Sequence, residues 1–153
     1  MSAGGSYSLA ITSDGAVWSW GDGRLGRLGQ GDEQRQLLPT KVEALAGRRV
    51  VALSAALVHS LAITADGAVW SWGRGTFGQL GHGDEKDQPP KKIEALAGQR
   101  VVAVSAGHDH SLARTADGAV FTWGKGESGC LGHGEDLSNE LLPKKIKVWA
   151  PGQ

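Results

Sequence analysis

Short apolar runs of two kinds recur along the chain, separated by polar stretches rich in glycine. VVALSA (50–55) and VVAVSA (101–106) are β-branched and nearly continuous in apolar character, as suits strands buried on both faces. SLAIT (60–64) alternates, and AVWSW (68–72) follows it after Asp66-Gly67. Asp-Gly between two such runs predicts a tight hairpin of type I′, with both central residues at positive φ. A fourth run, PKKIEAL (90–96), opens on proline and paired lysines, which fit an outer sheet edge and discourage edge-to-edge pairing. No stretch carries the 3.6-residue period of an amphipathic helix.

This series of runs occurs three times. SLAITSDGAVWSWG begins at Ser8, SLAITADGAVWSWG at Ser60 and SLARTADGAVFTWG at Ser111, so the copies lie 52 and 51 residues apart. SAGGSY (2–7), SAALVH (54–59) and SAGHDH (105–110) match upstream, while PTKVEALAG, PKKIEALAG and PKKIKVWAPG match downstream. Four short antiparallel strands per repeat predict an all-β chain, a partial β-propeller of about three four-stranded blades. The repeat array is one domain over 1–153, with blade units at about 1–47, 48–98 and 99–153. Trp18/Trp20, Trp70/Trp72 and Phe121/Trp123 alternate along the third strand of each copy. They are expected to pack against the neighbouring blade rather than to form an aromatic ligand cage.

Glycine is the compositional anomaly, with 24 residues where the usual share is about 7%. GRGTFGQLGHGD (73–84) has the G-x-G-x-x-G outline of a loop that cradles a phosphate at a helix mouth. Such a site needs one loop feeding one helix, and this loop recurs three times with no helical pattern after it. The shared glycines are Gly21, Gly23, Gly26, Gly29 and Gly31; Gly73, Gly75, Gly78, Gly81 and Gly83; and Gly124, Gly126, Gly129, Gly132 and Gly134. They are read as the structural corner of each repeat, so no nucleotide cofactor is expected.

Charge and chemistry narrow the function further. Sixteen basic residues balance sixteen acidic ones, so no global field favours nucleic acid, chromatin or an anionic membrane. The local pairs Arg48-Arg49, Lys91-Lys92 and Lys144-Lys145 fall at repeat positions and read as solvated strand edges. Cys130 is the lone cysteine, which removes disulfides and cysteine-based zinc sites and points to a reducing compartment. No secretory signal and no run near the roughly 20 residues of a bilayer span is present. An intracellular protein, cytoplasmic or nuclear, is expected.

His108-Asp109-His110 raises a metal or acid–base reading, but His110 matches His59 and Tyr7. That position calls for a flat side chain with one polar end, expected to bond a turn. His82 and His133 match Gln30 and are expected to contact loop backbone. Asp14, Asp66 and Asp117 are turn residues. No nucleophile, base and orienting acid stand out from the repeat, so neither catalytic residues nor a metal is expected. Arg114 replaces Ile11 and Ile63 on a face expected to be buried, where it needs a partner or an open side. The candidate partner-binding residues lie in the variable loops and at one strand connection. They are His108 and Asp109 at a strand connection, and Asp84, Glu85, Asp87, Glu135 and Asp136 in the loops 32–38, 84–88 and 135–141. The loops are expected on one rim, with His108-Asp109 elsewhere.

HSLAITADGAVWSWGRGTFGQLGHGD followed by PKKIEAL resembles the repeats of the regulator of chromosome condensation family. The resemblance covers nearly the whole chain and implies blades of a propeller that normally has seven. Kelch propellers share the period, but their Gly-Gly doublet occurs here once, at Gly4-Gly5, and is Ala56-Leu57 in the second copy. The resemblance implies several functions. One is guanine-nucleotide exchange on the small GTPase Ran through a wedge inserted in one blade, and the spacings here leave no room for such an insert. Another is ultraviolet-B sensing through Gly-Trp-Arg-His-Thr segments. His108, Leu57 and Gly5 stand at that tryptophan position, and Asp109, Val58 and Ser6 at the arginine, so photoreception is not expected. Others are recognition modules in ubiquitin ligases and ciliary scaffolds. The expected function is a non-enzymatic protein–protein interaction or scaffold module, with a Ran-like GTPase regulator as the alternative.

Three blades do not make a ring, and propellers have four to eight. The first copy lacks the R-V-V-A run that opens the others, and the chain stops at Pro151-Gly152-Gln153 where the next would begin. A fragment of a larger propeller is expected, with self-association through the open blade faces as the other way to cover them.

Overall fold

The structure is a computed structural model that describes residues 1–147; Val148 to Gln153, the end of the third expected unit, lie outside the described residues. Three four-stranded antiparallel sheets follow one another in chain order. The first holds β1 (Ser2–Ala3), β2 (Tyr7–Ile11), β3 (Val17–Gly21) and β4 (Gln36–Lys41). The second holds β5 (Val50–Ala55), β6 (His59–Thr64), β7 (Val69–Gly73) and β8 (Gln88–Lys92). The third holds β9 (Val101–Ala106), β10 (His110–Thr115), β11 (Val120–Gly124) and β12 (Glu140–Lys145). Each sheet pairs its strands in sequence order, as propeller blades do.

Three sequence expectations change in detail. The first blade does not lack its inner strand altogether. Ser2 and Ala3 pair with Leu9 and Ser8 in the register that Ser54 and Ala55 keep with Leu61 and Ser60. The Asp-Gly hairpins are not type I′, because only the glycines Gly15, Gly67 and Gly118 have positive φ (87°, 85° and 89°). Gly15 N–H donates to Thr12 O at 2.9 Å and Thr12 N–H to Ala16 O at 2.9 Å, a three-residue loop whose last residue is left-handed. The Asp14 carboxylate accepts the Thr12 hydroxyl, and Asp66 and Asp117 do the same for Thr64 and Thr115. These bonds hold all three carboxyls below the usual range. Finally, the fourth strand ends at Lys92, and Glu94–Leu96 form a 3₁₀ turn that buries Leu96, as Glu43–Leu45 bury Leu45.

The hydrophobic core lies between blades. Leu9, Val17, Leu28, Val42 and Leu45 of the first blade meet Val50, Ala62 and Trp72 of the second. Leu61, Ile63, Val69, Ile93 and Leu96 of the second meet Val101, Ala113 and Trp123 of the third. Each blade thus offers leucine and isoleucine to its successor and tryptophan to its predecessor. Trp72 and Trp123 are fully buried in this way and Trp70 and Phe121 pack half-buried against the same clusters, as expected, whereas Trp18 and Trp20 are half-buried outside them.

Arg114 is exposed rather than buried. It stands on the face whose counterpart Ile63 meets the next blade, and no described blade follows the third. The open side that the sequence reading allowed for is the outcome.

Candidate interaction surface

The glycine loops are built as a fixed corner. β3, β7 and β11 end on Gly21, Gly73 and Gly124, with φ of 108°, 105° and 104°. A Cβ on these residues would lie 2.6 Å from Ser6 O, Val58 O and Asp109 O respectively. The next glycines, Gly23, Gly75 and Gly126, would drive a Cβ to 2.0, 1.9 and 2.1 Å from the carbonyl oxygens of Gln34, Lys86 and Ser138. Each loop therefore folds back on itself too closely for any side chain at that point. At these positions the glycines serve the backbone path.

That corner brings two connections to one rim. Asp22 N–H donates to Ser6 O at 3.0 Å, Arg74 N–H to Val58 O at 3.0 Å and Lys125 N–H to Asp109 O at 2.9 Å. The loop after the third strand is thus tied to the short connection before the second. His108-Asp109 consequently shares the rim of the glycine loops, and its expected separate location is corrected. The reason is strand parity: both connections join the same ends of the strands they link. The Asp-Gly hairpins occupy the opposite rim, where Gly15 O and Gly67 O accept Val50 N–H and Val101 N–H at 3.1 Å.

The candidate residues divide into latches and free groups. His108 Nδ1 lies 2.8 Å from Asp109 Oδ2, with the histidine side chain 71% exposed and the carboxylate 13%. Asp84 Oδ1 accepts Lys86 N–H at 3.1 Å, and Asp87 Oδ1 accepts Gly75 N–H at 2.9 Å. Asp136 Oδ1 accepts Ser138 N–H at 3.0 Å, and Lys144 Nζ lies 3.5 Å from its other oxygen. The Ser138 hydroxyl bond comes first among the causes that lower the Asp136 carboxyl. Asp84, Asp87 and Asp136 therefore shape their own loops. Glu85 and Glu135 are exposed and make no hydrogen bond or ion pair among the described residues, while His108 is exposed but held to Asp109.

Sequence reasoning missed Phe77 on this rim. Arg74 Cζ stands 5.7 Å and Lys125 Nζ 4.8 Å from its ring centre, two cations from two different blades. The signal was available: Phe77 replaces Leu25 and Ser128 at a loop-tip position of the repeat.

The histidines have other partners than expected. His59 Nε2 lies 2.9 Å from Ser111 Oγ, on the next blade and not on a turn. Ser111 Oγ donates to Gln79 O at 2.8 Å, so its single proton is engaged and His59 Nε2 carries the hydrogen. Tyr7 fills the same role in the preceding blade, its hydroxyl 2.6 Å from His59 O and 2.8 Å from Ser60 Oγ. Burial pushes the Tyr7 phenol up to about 12 and the His59 imidazole down to about 4. His82 Nε2 and His133 Nε2 contact the hydroxyls of Ser71 and Thr122 at 2.9 and 3.0 Å, in place of loop backbone. Gln30 fills that place in the first blade, bonding Ser19 Oγ and Thr40 O, each at 2.9 Å. All are joints of the frame. Among the described residues no three His, Cys, Asp or Glu side chains gather as a metal site requires.

Comparison with known proteins places this frame. The regulator of chromosome condensation (RCC1) repeat matches residues 14–63, 66–114 and 117–150, three consecutive copies. The chain belongs to the RCC1 repeat family. Human E3 ubiquitin-protein ligase HERC2 is 47% identical over 139 residues, covering 89% of this chain and 3% of the ligase. The ultraviolet-B receptor UVR8 of Arabidopsis thaliana is 41% identical over 151 residues, covering 97% of this chain and 34% of the receptor. Among solved structures, Prp20p of Saccharomyces cerevisiae, described with its binding to Gsp1p and histones, superposes with a TM-score of 0.84 at 26% identity. That match covers 95% of this RCC1-repeat chain and 37% of Prp20p. The chain thus spans a small to moderate share of each relative.

Proposed function

We propose that this RCC1-repeat chain is a non-enzymatic protein-interaction module that recognises its partner through the glycine-loop rim. The observation that carries the reading is the division of labour within each repeat. Hydroxyls, tryptophans and glycines shared by the blades are consumed in joints, whereas His108, Phe77 and Glu135 differ between copies and lie on one rim with the exposed Glu85, which repeats Glu33. An aromatic ring beside two cations, on a rim that also carries exposed carboxylates, is chemistry suited to a mixed-charge protein surface. Ubiquitin transfer is not included in the proposal, since the alignment covers 3% of HERC2. The compartment under this reading is the cytoplasm or nucleus, where the exposed Cys130 thiol stays reduced. Photocrosslinkers at positions 85 and 135 should capture the same partner, and probes at Arg49 and Arg100 on the opposite rim should not. Equal capture from both rims would sink the reading.

A second reading, regulation of a small GTPase, is supported by the likeness to Prp20p and its described binding to Gsp1p. A purified Ran-type GTPase loaded with fluorescent GDP tests it directly. Acceleration of nucleotide release by the chain, with tightest binding to the nucleotide-free form, supports regulation. An unchanged release rate leaves the interaction module alone.

A further inference from the structure

The rim of the Asp-Gly hairpins carries cations that the fold positions and leaves unpaired. A cleft of about 250 Å³ opens there between the first two blades, lined by Arg48, Arg49, Asp66, Trp70 and Lys92. Its lining residues all fall within 47–92, so neither end of the chain contributes to it.

Packing fixes the stems of these side chains. Arg48 Cζ lies 4.9 Å from the centre of the half-buried Trp70 ring, and a guanidinium stacked on a ring keeps its N–H edges available to other acceptors. Arg48 N–H donates to Leu45 O at 3.0 Å and Arg49 O accepts Ala65 N–H at 2.8 Å, which ties the segment to both blades. Arg49 Cγ rests on the first hairpin, 2.8 Å from where a Gly15 Cβ would stand. Lys92 is half-buried at the end of β8. The charged heads of Arg48, Arg49 and Lys92 make no hydrogen bond or ion pair among the described residues, and Lys92 acts on Asp66 only at longer range. Asp66 cannot serve them as a close counter-ion. Its carboxylate accepts the Thr64 hydroxyl at 2.5 Å and stands 3.4 Å from Ala68 N.

We propose that this cleft binds the phosphoryl group of a phosphorylated peptide. Two guanidinium forks and an ammonium offer more donors and more charge than the two oxygens of one carboxylate can meet, whereas a phosphoryl dianion brings three acceptor oxygens. Carboxylates interrupt the rim on either side: Asp14 on the first hairpin, Asp66, and the exposed Glu43 and Glu94 of the adjoining 3₁₀ turns. They suit an isolated dianion and repel the continuous backbone of a nucleic acid. A second cleft of about 240 Å³ shares Asp66, Ala68 and Lys92 with the first and reaches Leu96 and Arg100. It gives room to the residues flanking the phosphoryl group, room that a free phosphate would leave unused. The matching place between the second and third blades has Gln99 for Arg48 and Phe121 for Trp70, one cation fewer. This rim lies opposite the glycine loops, and the inference is independent of the partner proposed for them.

NMR titration of the intact 153-residue chain tests the proposal. The probe is a heptapeptide of alanine and glycine with a central phosphoserine. It should shift the Nε–H signals of Arg48 and Arg49 and the indole N–H of Trp70 saturably, and bind at least about tenfold tighter than inorganic phosphate. Its unphosphorylated twin should shift none of them. Arg48→Gln installs the residue of the next junction, which the same fold accommodates, and should weaken binding about tenfold or more. Lys91→Gln removes an exposed charge outside the cleft and should change binding by less than about twofold. The proposal is overturned by the absence of a saturable shift up to about 10 mM peptide, or by an Arg48→Gln variant that binds as well as wild type. Equal binding of the glutamate peptide or of inorganic phosphate, or tighter binding of duplex DNA, overturns it as well.

Discussion

Acid should loosen this protein chiefly through the buried imidazole of His59, before its carboxylates titrate. His59 is fully buried, its Nε2–H given to Ser111 Oγ, and its Nδ1 has no hydrogen-bond partner among the described residues. A proton arriving at Nδ1 would meet neither water nor an acceptor, so burial lowers the group from 6.5 to about 4. Between those values the unfolded chain binds the proton and the folded chain does not, so stability rises with pH across the window and falls on acidification. The whole gap corresponds to about 3 kcal/mol, of which about 2 kcal/mol is lost by pH 5. Urea unfolding followed by tryptophan fluorescence, at pH 7.5 and pH 5, measures the loss. His59→Gln keeps a donor for Ser111 and removes the titration, so its loss between the two pH values should shrink by about 2 kcal/mol. His82 is also lowered to about 4 by burial, and as a half-buried group it adds less. His82→Gln, which installs the first blade's own residue, subtracts that contribution. Should the His59→Gln variant lose as much stability as wild type on acidification, the account of His59 as a buried neutral joint is wrong.

The remaining predictions separate packing from backbone and from charge. Gly75→Ala, whose Cβ would lie 1.9 Å from Lys86 O, should cost about 3 kcal/mol. Gly134→Ala, with φ of 74° and open space around it, should cost about 1 kcal/mol; calorimetry of both variants checks the order. Trp72→Phe removes the bond to Arg27 O, which Ser60 still serves, together with part of a fully buried ring, and should cost about 2 kcal/mol. Trp72→Ala should cost about 4 kcal/mol and Trp20→Ala on the open face much less, so equal losses in denaturant titrations would contradict the junction. Arg114→Ile restores the residue of the second blade at an exposed position and should change stability by less than about 0.5 kcal/mol, read by urea unfolding.

Much of the frame was legible because it repeats. Three copies of one pattern exposed the strand order, the corner glycines and the inward tryptophans, since a residue kept at the same place in every blade answers a constraint that every blade shares. Details of the turns were not legible. Asp-Gly fits both a two-residue and a three-residue hairpin, and the choice fell to the threonine whose hydroxyl reaches the aspartate. The candidate site was only partly legible: His108 and the loop carboxylates were named, but their grouping on one rim was not, and Phe77 was overlooked. Asp84, Asp87 and Asp136 looked like free charges and are occupied by backbone N–H groups, a distinction that lies in loop geometry.

The sequence alone determined the number of blades, the family and the residues that differ between copies, because periodicity and local propensity act along the chain. Only the tertiary structure decided which residues meet across blades. The ring group of each joint lies about one repeat from its serine and tryptophan, and a period records that they recur without recording what they touch. Arg114 marks the boundary between the two. Its sequence position belongs to a buried face, and its exposure follows from a neighbouring blade that the described residues do not supply.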